Sequence, residues 1–532
     1  VDNDAHNPGI TARLRWVGLA LGPIAAVLVY ALLAARGLNL GGVSEAGARV
    51  AAVATLMGVW WLSEALPLAV TAMLPIVLFP TLGVMPVKDA AAPFGDDLIF
   101  LFVGGFLLQL AMERWGLHRR IALVIILGVG TRPARLVGGL MLATAILSMW
   151  ISNAASAAMM LPIGVSLCEL IASRHRQAIP GDEAAAHPPV PEHPDPHVRN
   201  LGKCVMIGVA WAATIGGIAT PIGTAPNVLL RGYLHEQGIA TLSFAQWMML
   251  CLPMSAGFLV LAWALLTGVF FPLRLARSAA RAEAADERAL LVEELRALGP
   301  VKRGEWATMG VFSLAVFGWL FGGSIANALG LKYLSGSGLD SVVAMTAGVL
   351  LFVIPVDVKR QVFVMDWKHA ARLPYGVLLL FGGGLSLAAG MRATGLDHAV
   401  GASLGGLHGL HPVVVMLVLT AVVVALSEFM SNTALTVTLL PIVGAVERTL
   451  SVAPGSLLLP VALGASCAFM MPAGTPPSAI MFASGYFGIR DMARPGLLVN
   501  AIGVVLITVM IYTGLPIVMA WGSGSAGGAG TP

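Results

Sequence analysis

Ser148-Met-Trp-Ile-Ser152-Asn153-Ala154 and Ser427-Glu-Phe-Met-Ser431-Asn432-Thr433 are short polar stretches set inside the apolar runs 134–172 and 412–446. They lie at one constant offset, and so do their surroundings. Phe-Val-Gly-Gly-Phe-Leu at 102–107 returns as Phe-Gly-Gly-Gly-Leu-Ser at 381–386, Met112 as Met391, and Gly116-Leu117 as Gly395-Leu396. Leu161-Pro162-Ile163 returns as Leu440-Pro441-Ile442. A second polar pair, Gly223-Thr224-Ala225-Pro226-Asn227 and Gly474-Thr475-Pro476-Pro477-Ser478, repeats at a smaller offset, and the extra segment 173–203 in the first half accounts for the difference. A duplicated structural protein would match best in its apolar residues. Here the best-matched residues are polar, so what repeats is a site.

The rest of the composition fixes the solvent. Of 532 residues 58% are hydrophobic and 11% charged, with a mean hydropathy of +0.86. Soluble domains carry roughly 25% charged residues, so an ordinary soluble enzyme is excluded, as are disordered and collagen-like chains. The 62 glycines and 32 prolines sit within apolar runs, as they do in membrane helices. The expected fold is an all-α polytopic membrane protein. Its formal charge of +4 reflects basic residues kept on the cytoplasmic side and does not point to nucleic acid. Cys168, Cys204, Cys251 and Cys467 are far apart without metal-ligand spacing and read as packed thiols.

Apolar runs predict spans near 16–34 (a retained first span), 51–66, 68–82, 98–117, 204–233, 251–271, 306–322, 341–355, 374–394, 458–485 and 496–519. The interrupted stretches 134–172 and 412–446 read as re-entrant helical hairpins, which leaves about eleven full spans. Lys and Arg placement supports that count. With the N-terminus cytoplasmic, only Arg36, Arg49, Lys88, Arg231, Lys332, Arg392 and Arg448 of the 31 basic residues fall outside cytoplasmic segments. Counting one hairpin as a full span would put 272–305, the most basic loop, on the wrong side. Each repeat then holds an odd number of spans, so the second copy runs upside down, the inverted-repeat architecture of many secondary transporters. The segment 184–200, rich in proline and histidine, reads as a solvated loop, and the charged run 274–303 as a surface helix or linker.

Pro and Gly at the four polar motifs open the helix and free backbone groups that lipid cannot satisfy. Ser, Thr and Asn add short neutral oxygens and amide or hydroxyl donors. Such oxygens can replace the hydration shell of a small hard cation such as Na+. Half-helix N-termini can hold an anion. With few basic side chains nearby, an anion there depends on dipoles, amides and co-bound cations.

These paired Ser-Asn-Thr tips and Gly-Thr-Pro-Pro breaks resemble the divalent anion:sodium symporter family, which includes bacterial dicarboxylate transporters and mammalian citrate, dicarboxylate and sulfate relatives. The resemblance covers about residues 16–520. It implies an elevator mechanism in a homodimer. Scaffold spans would lie in 1–130 and 306–404, transport-domain elements in 131–272 and 405–520, a cytoplasmic linker at 273–305 and a flexible tail at 521–532. Carried over by motif position, a first sodium site would use Ser148, Ser152, Asn153 and the backbone around Gly223. A second would use Ser427, the Met430 carbonyl, Asn432 and Gly474. Substrate carboxylates would meet Asn153, Asn432, Thr433, Thr475 and Pro476. The implied function is Na+-coupled uptake of a small divalent anion, a C4-dicarboxylate such as succinate, malate or fumarate, across a bacterial-type inner membrane. Na+ is the only cofactor expected, and the bilayer, the substrate and a second copy are the partners.

The sequence departs from the pattern at Ala154, where the first tip lacks its Thr, and at Ala225, where the first break lacks its first Pro. The lost hydroxyl removes a hydrogen bond of about 1.5–3 kcal/mol if charge-assisted, which leaves room for sulfate, another oxyanion, or Na+-independent dicarboxylate exchange. Glu428, matched by Met149, is a candidate proton or cation partner because an intramembrane acid is functional by default. Glu64 and Glu169 read as interfacial. The glycine clusters 104–105 and 382–384 read as close helix packing. No span carries HExxH, GxSxG or paired Asp residues, which argues against an intramembrane enzyme. A passive channel would not need two matched broken elements per half.

Overall fold

A computed structural model describes residues 8–35, 43–130, 132–177, 195–239, 242–273, 279–331, 337–403, 411–450 and 452–524. The chain starts with α1 (Pro8–Ala35) and α2 (Glu45–Leu62), the latter capped by Ser44 Oγ accepting from the Gly47 amide. One apolar run follows, divided at Met73 ahead of Pro75 into α3 (Leu68–Ala72) and α4 (Leu74–Thr81). α5 (Val87–Ala91) leads through a short turn into α6 (Asp97–Trp115), which ends on Gly116 at φ 70°. That left-handed cap is open to glycine at little cost. Then come α7 (Leu117–Val129), α8 (Pro133–Ser148), α9 (Asn153–Gln177), α10 (Pro196–Ile218), α11 (Ala225–Glu236) and α12 (Phe244–Ala264). α13 (Ala279–Ala297) joins the halves and packs on α7 and α9.

The second half holds α14 (Arg303–Ala328), α15 (Ser337–Val353) and a small antiparallel hairpin of β1 (Pro355–Asp357) and β2 (Val362–Phe363). α16 (Trp367–Ala370), α17 (Tyr375–Ala393), α18 (Leu396–Ser403), α19 (Pro412–Ser427) and α20 (Asn432–Leu450) follow, then α21 (Leu458–Ala465), α22 (Pro476–Phe482) and α23 (Ile489–Gly524).

The sequence repeat is a repeat of elements. α6 and α17 each end on a glycine, Gly116 and Gly395, at the same φ of 70°. α8 and α19 start at equivalent prolines and stop at Ser148 and Ser427; α9 and α20 start at Asn153 and Asn432. The glycine clusters also do matching work. A methyl on Gly104 would collide with the Ala344 carbonyl of α15, and one on Gly383 with the Ala72 carbonyl of α3. These glycines let α6 and α17 lie directly against a neighbour, as small residues do in membrane helix pairs.

Among the described residues nine helices are long and apolar enough to cross a membrane: Arg15–Ala35, Val87–Trp115, Asn153–Ser173, Pro196–Ile218, Phe244–Phe270, Arg303–Ala328, Tyr375–Ala393, Asn432–Leu450 and Ile489–Ala520. The expected spans 51–66, 68–82, 341–355 and 458–485 do not reach that mark. Their helices begin on the charged turn of Glu45 and Arg49, divide at Met73, stop at Val353 before the β-hairpin, or break at 466–475. Two of the nine, Asn153–Ser173 and Asn432–Leu450, instead come from the stretches read as hairpins.

The halves interlock through their short pieces. α22 packs on α9 and α10, while α11 packs on α20, α21 and α17. A broken helix of this length cannot bury its own surface, so each second piece docks on the helix–break–helix unit of the other half. All four cysteines are free and buried, as expected. Residues 178–194 of the loop region and 525–532 of the tail lie outside the described residues.

Candidate substrate and cation site

Helix starts build this site. Ser152 caps α9: its Oγ accepts from the Ala155 amide at 3.3 Å and its carbonyl from Ser156 at 3.0 Å. The Ser431 carbonyl takes the Leu435 amide at 2.9 Å in the same way at α20. At the breaks, Thr224 and Thr475 are extended and occupy the cap positions of α11 and α22, each followed by proline-bearing first turns. Thr475 Oγ1 also pairs with Ser478 Oγ at 2.8 Å.

These four helix starts face one cavity of about 910 Å³. Ser152, Asn153, Gly223, Met430, Asn432, Thr433, Gly474, Thr475 and Pro476 all line it. Ser148 and Ser427 do not; both are fully buried behind the tips. Every site residue named from sequence therefore lies on the cavity wall or directly behind it.

Around the first tip, Ser148 Oγ lies 2.7 Å from the Asn153 side-chain amide. The same end of that amide lies 3.2 Å from the Ala213 and Gly223 carbonyls. Turned nitrogen-inward, the amide places its two N–H groups among these three oxygens. Turned oxygen-inward, it completes a cluster of four neutral oxygens: hydroxyl, amide and two carbonyls. That donor set suits Na+, whereas Ca2+ and Mg2+ favour carboxylates. Around the second tip the set is looser. Ser427 Oγ donates to its own helix at the Val424 carbonyl, 2.8 Å, while Asn432 Oδ1 is buried without a donor.

The freed backbone groups of the two breaks are satisfied by opposite chemistries. In the first break Asn227, fully buried, donates through Nδ2 to the Gly217 and Thr220 carbonyls at 3.1 and 2.9 Å. Thr220 Oγ1 fastens the break to the tip by donating to the Met149 carbonyl at 2.5 Å. In the second break the exposed groups are amides. The Glu428 carboxylate accepts from the Phe469, Met470 and Met471 amides at 2.8, 2.9 and 2.8 Å, and from Asn500 Nδ2 at 2.6 Å. Glu428 is thus a structural acceptor behind the second tip.

Sequence reading passed over Ala213, Asn500 and Gln109, and quoted Asn227 without giving it a role. A lone Asn in the apolar run 496–519 was the available signal for Asn500. Ala213 contributes a carbonyl, which no side chain announces. The charged lining residues are Arg15, Glu64, Glu113 and Arg372, all exposed. They sit at the start of α1, just after α2, at the end of α6 and just before α17, so they form a rim at one end of the bundle. Glu64, read as interfacial, belongs to this rim and holds a positive φ of 48°.

Paired broken helices around a cavity of neutral oxygens, in a multi-pass membrane protein, define a secondary carrier. The chain belongs to the divalent anion:sodium symporters: the family described as the sodium:sulfate symporter transmembrane region matches residues 15–521. Among its relatives, the sodium-dependent dicarboxylate transporter SdcS of Staphylococcus saprophyticus is 36% identical over 97% of this chain and 94% of its own. SdcS of Staphylococcus aureus strain RF122 is 35% identical over 94% of this chain and 92% of its own. A solved structure, the Alcanivorax borkumensis YdaH transporter, aligns with 87% of this chain and 98% of its own at 15% identity and a TM-score of 0.49. At that score the likeness carries no structural argument. The family and these relatives are transporters, not enzymes.

Proposed function

We propose that this protein is a sodium-coupled importer of small dicarboxylates, with C4 anions such as succinate, malate or fumarate as substrates. The single observation that carries the reading is the meeting of both tips and both breaks in one cavity. The SdcS relatives support sodium and dicarboxylate as the coupled pair. Na+ at the first tip, among Ser148, Ser152, Asn153, Gly223 and the Ala213 carbonyl, and at the second, among Ser427, Met430, Asn432 and Gly474, would neutralise an anion that meets Asn153, Asn432, Thr433, Thr475 and Pro476. The starts of α9, α11 and α20 add partial positive charge.

In this reading the two halves are inverted copies and 134–172 and 412–446 are re-entrant. α1–α7 and α14–α18 form a scaffold that dimerises, and the remaining broken and hairpin elements slide as an elevator. With the N-terminus cytoplasmic in an inner membrane, the rim of Arg15, Glu64, Glu113 and Arg372 faces the cytoplasm. Two Na+ per dianion would move no net charge. A third would couple uptake to the membrane potential at roughly 2.3 kcal/mol per 100 mV.

Proteoliposome uptake of labelled succinate tests the proposal. An inward Na+ gradient should drive accumulation and an equal K+ gradient should not. Uptake indifferent to Na+ but stimulated by internal substrate would replace symport with exchange. Competition by sulfate alone would move the substrate to an inorganic oxyanion.

A further inference from the structure

The two tips differ in one respect that the repeat makes visible. Thr433 follows Asn432 at the second tip, whereas Ala154 follows Asn153 at the first. A second difference sits across the cavity. Gln109 of α6 lines it, and the residue at the same offset in the second half is Ala388 of α17, buried and without a polar side chain. So the tip without a hydroxyl has an amide beside it, and the tip with the hydroxyl has alanine at the equivalent place.

Gln109 is also held in place. Its Oε1 accepts from the Ser152 backbone N–H at 3.3 Å. Ser152 is the cap residue of α9, so that N–H precedes the helix and has no carbonyl of its own helix to use. With Oε1 committed to the tip, the two N–H groups on Nε2 are the part of Gln109 left for the cavity. An amide fixed through its oxygen presents donors only, which suits an anion and rejects a cation.

We propose that Gln109 is a substrate-binding residue: its Nε2 donates to the carboxylate at the first tip, in place of the hydroxyl that Ala154 lacks. This rests on the dicarboxylate reading above and deepens it. The bond comes from α6, outside both tips and both breaks, so it acts on affinity at the cavity facing the rim. A donor to a charged oxygen accounts for about 1.5–3 kcal/mol, which corresponds to a KM change of about 10-fold or more.

The test is Na+-driven succinate uptake in proteoliposomes by wild type, Gln109→Ala, Gln109→Glu and the double variant Gln109→Ala/Ala154→Thr, each first checked for monodisperse elution. Gln109→Ala should raise the succinate KM about 10-fold and leave Vmax and the Na+ dependence near wild type. Gln109→Glu should raise KM further, because a carboxylate then faces the anion. The added threonine should return most of the loss. An unchanged KM in Gln109→Ala overturns the inference while leaving the carrier reading intact. A fall in Vmax at unchanged KM, unrelieved by the threonine, also overturns it and marks Gln109 as a support for the tip alone. Wild type without Na+-driven succinate uptake removes the dicarboxylate reading and this inference together.

Discussion

Asn153 and Asn432 occupy equivalent places but in unequal surroundings. The first amide touches three oxygens at 2.7–3.2 Å, while the second keeps an unpartnered Oδ1. On the proposed reading, either one replaced by alanine removes an oxygen from a cation site and a donor from the anion. Both Asn153→Ala and Asn432→Ala are expected to abolish saturable succinate uptake while eluting as wild type, measured by transport and gel filtration on the same preparations. Glu428 behaves differently. Its four bonds hold the second break closed, and hydrogen bonds to a charged group contribute about 1.5–3 kcal/mol each. Glu428→Gln turns one acceptor into a donor facing amides that are themselves donors. It should lower the thermal unfolding midpoint in detergent before any effect on Na+ affinity is resolved. An unchanged midpoint would return Glu428 to the role of a cation partner. The sequence marked Glu428 as unusual but could not give its direction, because that depends on where 469–471 and Asn500 come to lie.

At the scale of elements, the breaks and caps were written locally and the packing was not. Prolines 133, 412, 226 and 476 and glycines 116 and 395 set where helices start and stop, which is why the motif boundaries coincide with helix ends. The span count was less readable. Length and apolarity do not reveal that α3 and α4 divide, or that α15 stops at a β-hairpin. The glycines distinguish the two kinds of constraint. Gly383 sits against the α3 backbone, whereas Gly116 has open space around it and needs only its positive φ. Gly383→Ala should therefore destabilise by about 1–3 kcal/mol through overpacking. Gly116→Ala should cost about 1 kcal/mol of backbone strain. Thermal midpoints of the two variants should fall in that order.

On the scale of the whole molecule, a buried ion pair ties the halves together. Arg231 of α11 donates to Asp340 of α15 at 2.7 Å, with 0% and 2% of the two side chains exposed. Asp340 also accepts the Phe244 amide at the start of α12, at 3.0 Å. Arg231 Nε and Nη1 have no partner, so the pair is incompletely satisfied and its desolvation is poorly offset. Removing one partner, in Arg231→Met or Asp340→Leu, should destabilise by about 3–5 kcal/mol. Removing both should restore most of that loss. A double-mutant cycle of unfolding midpoints would show it, and additive losses would mean that the two side chains do not act as a pair.

Composition, the spacing of prolines and glycines, and the constant offset between polar motifs determined the class of protein, the repeat and the tip and break residues that line the cavity. These are properties of short windows, and the bilayer limits what such windows can become. The structure decided which oxygens converge. The Ala213 carbonyl beside Asn153, Glu428 against the second break, Gln109 across from Ser152 and Arg231 against Asp340 are all partners distant in sequence. The first three are brought into place by helices packing within one half and the last by the two halves docking on each other, and no local pattern encodes that packing.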